Sequence, residues 1–415
     1  MNMKTLLVSL VSDQTIPNVQ LINELKDNKT EYLFITTKKM EEKGCRQWIE
    51  KATGIKSVLN PIIVNEYSYD DIKHKLNEFD VSLYGKIIVN LTGGTKVMTI
   101  AAHDFFKEEG ADIYYVTGVD KKIIKIFPGK KKLESIIMNS LSVEEYLIAY
   151  GFTVQKNDSK HVEDKITRKF FNMFCNKEIY NYVTVINKLR AYRNKGLKEN
   201  SFDKDIAIFL QSLDFKSDKP SCLSADEIKY LTGEWFEQYV YNEIKKDFHL
   251  DDTKILMGVK LNKEIKDIET NILKQLLQTE DVQSALPKNE IDVIFMYNGR
   301  IYVIECKTSI VDIKENKLGQ NGEKIIKSNE INFLGETIYK ADSINNKFGL
   351  FAKSFIFTMT DFKEYIYSED IGEAKNKKRK MEELINRASM AKISIADRNI
   401  LTKSKSIKDI ILSQC

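Results

Sequence analysis

Apolar positions in residues 1–130 come in short unbroken runs separated by amphipathic stretches. Lys4–Val11, Glu31–Thr36, Pro61–Val64, Lys86–Asn90 and Asp112–Val116 have the length and β-branched content of buried strands. Between them, Asn18–Lys26, Met40–Ala52 and Asp70–Phe79 repeat apolar residues at helical spacing. Strands alternating with helices of this length predict a mostly parallel sheet covered on both faces. Ligands of such sheets bind outside the carboxyl ends of the strands. Two loops reach that edge, Ser9–Asn18 after the first strand and Asn90–Met98 after the fourth.

The second loop reads Asn90-Leu91-Thr92-Gly93-Gly94-Thr95-Lys96-Val97-Met98, from a strand through glycines into a helix. Glycine lets backbone N–H groups approach a phosphate, and a helix N-terminus favours an anion. Thr92 and Thr95 add hydroxyls and Lys96 a charge. The run is neither a Walker A loop nor G-x-G-x-x-G, which disfavours ATP hydrolysis and dinucleotide redox chemistry. Without a ligand it reads as a strand-to-helix turn with Thr95 as N-cap.

Residues 140–222 carry amphipathic stretches with little glycine, and Asp214–Pro220 is polar enough for a linker. This pattern predicts a helical connecting subdomain, winged-helix-like, with no visible chemistry. Beyond it the pattern returns to strands. Asn289–Thr308 reads as two apolar runs joined by Asn298-Gly299, a two-residue hairpin signal because both turn positions need positive φ. Tyr297 then pairs with Arg300, and Asp292 lies opposite Glu305. Opposed side chains share a face at roughly 4.5–5.5 Å between Cβ atoms. Lys307 returns to that face two residues on.

Two carboxylates this close repel unless a cation lies between them. Mg²⁺ and Mn²⁺ prefer oxygen donors and are held by one or two carboxylates plus water and substrate phosphate. Asp292 and Glu305 are therefore candidate metal ligands, with Lys307 positioning or deprotonating water or stabilising charge. The competing reading is a surface hairpin with an ion pair. Against it, Ile301-Tyr302-Val303-Ile304 is a core strand that ends in charge. After the hairpin, polar Asp312–Asn329 reads as a lid or a surface insertion, and Phe333–Ile344 as a helix carrying Lys340, a candidate phosphate contact. Asn376–Lys380 is a cationic run leading into a helix, and Asp267–Leu286 is longer than a minimal core needs.

The 415 residues suffice for two or three domains. A net charge of +4 permits a polyanionic partner without requiring one. Five cysteines without C-x-x-C spacing read as reduced thiols of a cytoplasmic protein. Four histidines without a zinc spacing disfavour His-metal hydrolysis, and no apolar run is long enough to span a bilayer.

The hairpin trio resembles the PD-(D/E)xK nucleases. That family also uses an acidic residue on a preceding helix, and Glu237 in Thr232–Tyr241 fits the slot. LVSDQTIPN and NLTGGTKVM resemble the two ligand loops of the CARF domain, the sensor of cyclic oligoadenylates in type III CRISPR defence. The whole chain is thus similar to the CARF-fused PD-(D/E)xK effector nucleases. The resemblance implies an α/β protein with a Rossmann-like CARF domain at 1–139, a connecting helical region at 140–222 and a restriction-endonuclease-like domain at 223–415. It implies a homodimer with cyclic tetra-adenylate on the two-fold axis, and a Mn²⁺- or Mg²⁺-dependent endonuclease cutting DNA or single-stranded RNA. Carried over by position, Ser12, Gln14, Thr15, Pro17 and Asn18 frame the activator on one side. Thr92, Gly93, Gly94, Thr95, Lys96 and Met98 frame it on the other, with Thr37 and Lys38 nearby. Glu237, Asp292, Glu305 and Lys307 form the catalytic set. The alternative from another class is a non-catalytic nucleotide sensor that binds DNA as a regulator.

Overall fold

In the computed structural model, the described residues are 4–118, 122–129, 134–137, 139–156, 162–263, 289–310, 312–315, 326–330, 332–349 and 352–414. They form two sheets. The first has the strand order β3-β2-β1-β4-β5-β6-β7. Its strands are β1 (Lys4–Leu10), β2 (Thr30–Thr36), β3 (Ile62–Ile63), β4 (Tyr84–Asn90), β5 (Asp112–Val116), β6 (Lys122–Phe127) and β7 (Glu134–Ile137). Strands β1 to β5 pair in parallel, and β6 and β7 close the edge antiparallel. Both faces are buried, because successive β1 side chains enter different cores. Leu6, Val8 and Leu10 meet the helix Lys96–Glu108, while Leu7 packs with the helices Ile16–Leu25 and Cys45–Thr53. The predicted Met40–Ala52 helix is two helices, Lys38–Lys43 and Cys45–Thr53, broken where Gly44 turns left-handed at φ 89°.

The second sheet runs β15-β14-β11-β10-β9-β8. It comprises β8 (Phe152–Lys156), β9 (Ile255–Lys263), β10 (Asn289–Tyr297), β11 (Arg300–Lys307), β14 (Lys353–Thr358) and β15 (Ile393–Ala396). Among the described residues, the intervening β12 (Asp312–Glu315) and β13 (Ile326–Glu330) pair only with each other. The ends of the predicted lid are thus a short antiparallel ribbon, and its middle lies outside the described residues, as do Asp267–Leu286 and part of the basic edge at 121–132.

Residues 140–222 are tied to both units. The helix Val143–Ala149 packs in one core with β1, β10 and β11, and β8 adds an edge strand beside β9. The helices Asp164–Cys175, Val183–Arg190 and Lys204–Ser212 share a second core with the helix Trp235–Asp247 and the other face of β10 and β11. Burial of Phe170 against Trp235, rings stacked at 5.0 Å, joins these helices to the second sheet. Among the described residues of 140–222, these helices pack into the two cores just named. Among the described residues, no helix is long and apolar enough to cross a membrane.

Candidate active site and sensor loops

The hairpin turns at Asn298 (φ 52°) and Gly299 (φ 73°), and Tyr297 pairs with Arg300. The ladder runs to Val293 opposite Ile304, which makes Asp292 and Glu305 the next pair outward. There the chain substitutes a side-chain contact for a ladder bond: Asp292 Oδ2 accepts from the Cys306 N–H at 2.7 Å. The face that carries Asp292, Glu305 and Lys307 is the face that buries Ile294, Met296, Ile301 and Val303 beneath the first unit.

Glu305 is wholly buried. Lys307 Nζ donates to Asp292 Oδ2 at 3.2 Å and to Glu305 Oε2 at 3.3 Å. Lys340, on the helix Asn332–Asn345, donates to Glu305 Oε2 at 2.9 Å and lies 2.8 Å from Oε1. Oε1 itself is left without a hydrogen bond. Burial and then the charge of Asp292 push the Glu305 carboxyl up to about 7, against the two lysines. Burial disfavours the Lys307 ammonium, but Asp292 and Glu305 outweigh it and raise its pKa, so Lys307 is a cation at neutral pH. Glu237, in the first turn of the helix Trp235–Asp247, has its carboxyl raised well above the usual range by burial, then Asp292, then Glu234. Asp292, Glu305 and Lys307 therefore meet directly, and Glu237 shares the field of Asp292 and Lys307 from its helix. Glu234 and Lys340 join them. Glu234 closes the one-turn π-helix Tyr230–Glu234, and its carboxyl is raised first by burial, opposed by Arg193.

The donors are carboxylate oxygens on a buried strand end, crowded by like charge, with Glu305 Oε1 in ion-pair contact with Lys340 but without a hydrogen bond. That set fits a hard dication. Among the described residues no group of three or more His, Cys, Asp or Glu could hold a metal, so water and substrate phosphate would complete the shell.

Asn376–Lys380 falls inside the twenty-residue helix Ile371–Met390 rather than before a helix. Lys377 bridges Glu373 at 2.8 Å, while Lys378 and Arg379 lie 3.9 and 3.8 Å from Glu382 and Glu383. Three of the run's four cations thus pair within their own helix.

The two sensor loops leave adjacent strands, β1 and β4, where the winding of the sheet changes direction. Asn18 Nδ2 donates to the Leu10 carbonyl at 2.8 Å, and Asn90 Nδ2 donates to Asn18 Oδ1 at 2.7 Å, tying the loops together. Asn90 Nδ2 also donates to the Pro17 carbonyl. Thr92 donates to Asn90 Oδ1 and accepts from the Val116 N–H, both at 2.7 Å. Thr95 caps the helix Lys96–Glu108, accepting from Met98 N, and Thr37 caps Lys38–Lys43. Thr15 is wholly buried and donates to the Ala149 carbonyl, and Met98 is wholly buried in the core. Thr15, Asn18, Thr37 and Met98 thus hold the loops from within. Ser12, Gln14, Pro17, Thr92, Gly94, Thr95, Lys96 and Lys38 keep exposed atoms.

One sensor residue also reaches the second unit's contacts. The Tyr150 hydroxyl donates to Gln14 Oε1 at 3.0 Å. The neighbouring Tyr146 hydroxyl donates to the Phe348 carbonyl at 2.7 Å, just past the helix that carries Lys340. Neither tyrosine stood out in the sequence, where both read as apolar positions of a helix.

Residues 6–146 match the family described as Card1 CARF domain. Residues 224–384 match the Card1-like endonuclease domain. Among solved structures, Can2 from Sulfobacillus thermosulfidooxidans in complex with cyclic tetra-adenylate superposes with TM-score 0.62 at 21% identity, covering 96% of this chain and 97% of that one. Protein VC1899 from Vibrio cholerae gives 0.64 at 14% identity, covering 96% and 95%. At these identities the likeness is one of fold. A comparison with curated proteins found no match.

Proposed function

We propose, from the premise that this chain is a CARF-fused nuclease of the type III CRISPR kind, that it is a divalent-metal-dependent endonuclease switched on by a cyclic oligoadenylate, cyclic tetra-adenylate first. The observation that carries this reading is the convergence of Asp292, Glu305 and Lys307 at the end of a buried hairpin, under the same sheet face that the sensor unit covers. Asp292 and Glu305 would hold Mn²⁺ or Mg²⁺, which would supply acidification of a water and charge neutralisation at the scissile phosphate. Lys307, kept protonated by its two carboxylates, stabilises developing charge rather than acting as a base. Glu237 orients water from the helix side. The substrate is DNA or single-stranded RNA, and the working unit is a homodimer with the activator shared between two sets of sensor loops. Unit boundaries follow the same reading: sensor 1–139, connector 140–222, nuclease 223–415.

Gating has a physical route. Gln14 and Thr15 in the first sensor loop bond to Tyr150 and Ala149, the Val143–Ala149 helix bonds through Tyr146 to Phe348, and the helix before Phe348 carries Lys340 onto Glu305. Gly349 sits at the junction with φ +78°, and a Cβ there would lie 2.1 Å from the Tyr150 hydroxyl and 2.7 Å from Gln14 Oε1. Gly349→Ala is expected to leave activator affinity within about threefold, since the loops stay tied through Asn18 and Asn90, but to cut activator-stimulated cleavage by roughly tenfold or more, a coupling loss of the usual allosteric size. Calorimetric titration with cyclic tetra-adenylate beside a plasmid assay separates the two. Equal losses in both would refute the route.

The experiment that tests the function is incubation of supercoiled plasmid with the protein and Mn²⁺, with and without cyclic tetra-adenylate. Cleavage that needs both supports the reading. Tight activator binding with no cleavage of plasmid or single-stranded RNA would convert the protein into a sensor without catalysis.

A further inference from the structure

An acidic catalytic pocket repels its own substrate. Glu234, Glu237, Glu290, Asp292 and Glu305 all act electrostatically within one cluster, and a nucleic acid brings phosphates into it. Lys307 and Lys340 offset part of that charge inside the site, and cations beside it would draw the strand in. In the helix Ile371–Met390, three of the six cations pair with its three glutamates. A different cationic feature lies beside the acidic helix.

The helix Val183–Arg190 buries Val185, Ile186 and Leu189 in the core with Trp235 and Phe236. Its last residue is Arg190, and a tight turn follows, Ala191-Tyr192-Arg193-Asn194-Lys195. That turn is pinned. Tyr192 N–H donates to the Leu189 carbonyl at 2.8 Å, and Gly196 N–H donates to the Tyr192 carbonyl at 2.9 Å. Leu197 then exchanges two backbone hydrogen bonds with Leu223, at 2.7 and 2.9 Å. Gly196 is required there: its φ is +74°, and a Cβ would lie 2.8 Å from the Leu223 carbonyl. The turn is therefore a fixed shelf on a packed helix.

Arg190 and Arg193 stand on that shelf, both exposed. Arg46, Arg168 and Arg398 each bridge two carboxylates. By contrast, neither Arg190 nor Arg193 has a carboxylate within ion-pair distance among the described residues; Arg190 donates only to Asn187 Oδ1, at 3.1 Å. Crowding by protein atoms and then the charge of Arg193 lower the pKa of Arg190. Two guanidiniums in each other's field, neither tied by an ion pair among the described residues, favour an anion. Arg193 Nη2 reaches to 3.9 Å from where a Cβ at Gly233 would stand, beside Glu234 and one turn before Glu237. The field of Arg193 is felt at Glu234, and that of Glu234 at Glu237. The shelf thus borders the acidic cluster directly. It lies at 147–223, between the spans that the two family descriptions cover, so it belongs to the part of the chain that those descriptions leave open.

We infer that Arg190 and Arg193 form a phosphate clamp that seats the phosphodiester backbone of the nucleic-acid substrate at the entrance to the Glu237–Asp292–Glu305 site. The inference rests on the nuclease reading above and extends it to substrate binding. Guanidinium forks bind phosphate oxygens in pairs, which fixes the strand's path as well as its affinity. Backbone contacts of this kind carry no base preference, so the clamp serves any sequence.

The test uses the full chain carrying Glu305→Gln, which binds without cutting. Fluorescence anisotropy follows a labelled single-stranded DNA oligonucleotide, and its RNA counterpart, across a salt series with activator present. Relative to that parent, Arg190→Ala/Arg193→Ala is expected to bind roughly tenfold more weakly, with a log–log salt slope shallower by about 1.4, roughly 0.7 for each phosphate contact on a single strand. Arg190→Lys/Arg193→Lys keeps the charge and recovers the slope. Stronger loss on one oligonucleotide identifies the sugar the clamp prefers. Unchanged affinity and slope in the alanine variant, with unchanged activator binding, would overturn the clamp and leave the nuclease reading standing. A parent that binds neither oligonucleotide would overturn both.

Discussion

Glu305→Gln yields a protein that folds, binds its activator and does not cut. The substitution keeps the shape of the side chain and a carbonyl oxygen for Lys307 and Lys340 to donate to, but removes the negative charge that would hold a dication. Loss of one anionic ligand removes several kcal/mol of charge stabilisation, or roughly a thousandfold in cleavage rate at saturating activator. Stability moves the other way. The folded protein raises this carboxyl from the ordinary 4.5 to about 7, chiefly through burial and Asp292. The native state therefore holds the proton more tightly than the unfolded chain does. The stability this provides is full below pH 4.5 and is lost as pH rises through 7. In chelator, the unsubstituted protein should melt lower at pH 8 than at pH 6, and Glu305→Gln should flatten that difference. Adding Mn²⁺ at pH 8 should raise the melting temperature of the unsubstituted protein and leave that of the variant nearly unmoved. Melting curves with a plasmid assay check both halves. Residual cleavage above about one part in ten would remove Glu305 from the metal site.

The contrast between what local pattern predicts and what the fold adds is sharpest within this site. Asn298-Gly299 dictates a turn with two positive φ values, and strand alternation then places Asp292, Glu305 and Lys307 on one face; these are short-range rules, and the three residues do meet. Glu237 follows from the family resemblance, which asks for an acidic residue on the preceding helix. Lys340 is thirty-five residues from Glu305 along the chain and reaches it only because a helix crosses the face of β11 and β14, a packing fact with no local signature. The same limit applies to β8. Phe152 and Val154 alternate as strand residues do, but pairing with β9 joins positions about a hundred residues apart. Gly44 illustrates a different miss. A single glycine inside a helical pattern is tolerated often enough to be passed over, yet here it turns left-handed and starts a new helix. In the sensor loops, residue type alone cannot distinguish a hydroxyl or amide aimed at a ligand from one aimed inward. Thr15 and Asn18 are polar residues in a ligand loop, and burial shows that they serve as its internal ties.

Those ties make the second large effect a steric one. Gly93→Ala is expected to weaken activator binding strongly while sparing the nuclease unit. Gly93 is not in the left-handed region, so backbone freedom is not its reason for being there. Its reason is contact: a Cβ at this position would stand 2.0 Å from the Leu10 carbonyl oxygen and 3.0 Å from the carbonyl carbon. Both are main-chain atoms at the end of β1, and no rotamer change can relieve them. The same carbonyl accepts from Asn18, whose amide oxygen accepts from Asn90. Room for a methyl can come only from driving the β1 and β4 loops apart, which breaks this chain and opens the crevice where an activator would be held between them. Overpacking of this kind costs about 1–3 kcal/mol, and against a ligand that needs both loops at once it should weaken binding about a hundredfold. Titration calorimetry with cyclic tetra-adenylate measures the loss. Mn²⁺ binding at Asp292 and Glu305, followed by electron paramagnetic resonance in the absence of activator, should stay at the level of the unsubstituted protein, because the clash lies at the ends of β1 and β4 in the other sheet. A variant that binds activator with native affinity would show that the crevice between these two loops is not the sensor site. One that loses Mn²⁺ as well would show that the two units do not hold their shapes independently.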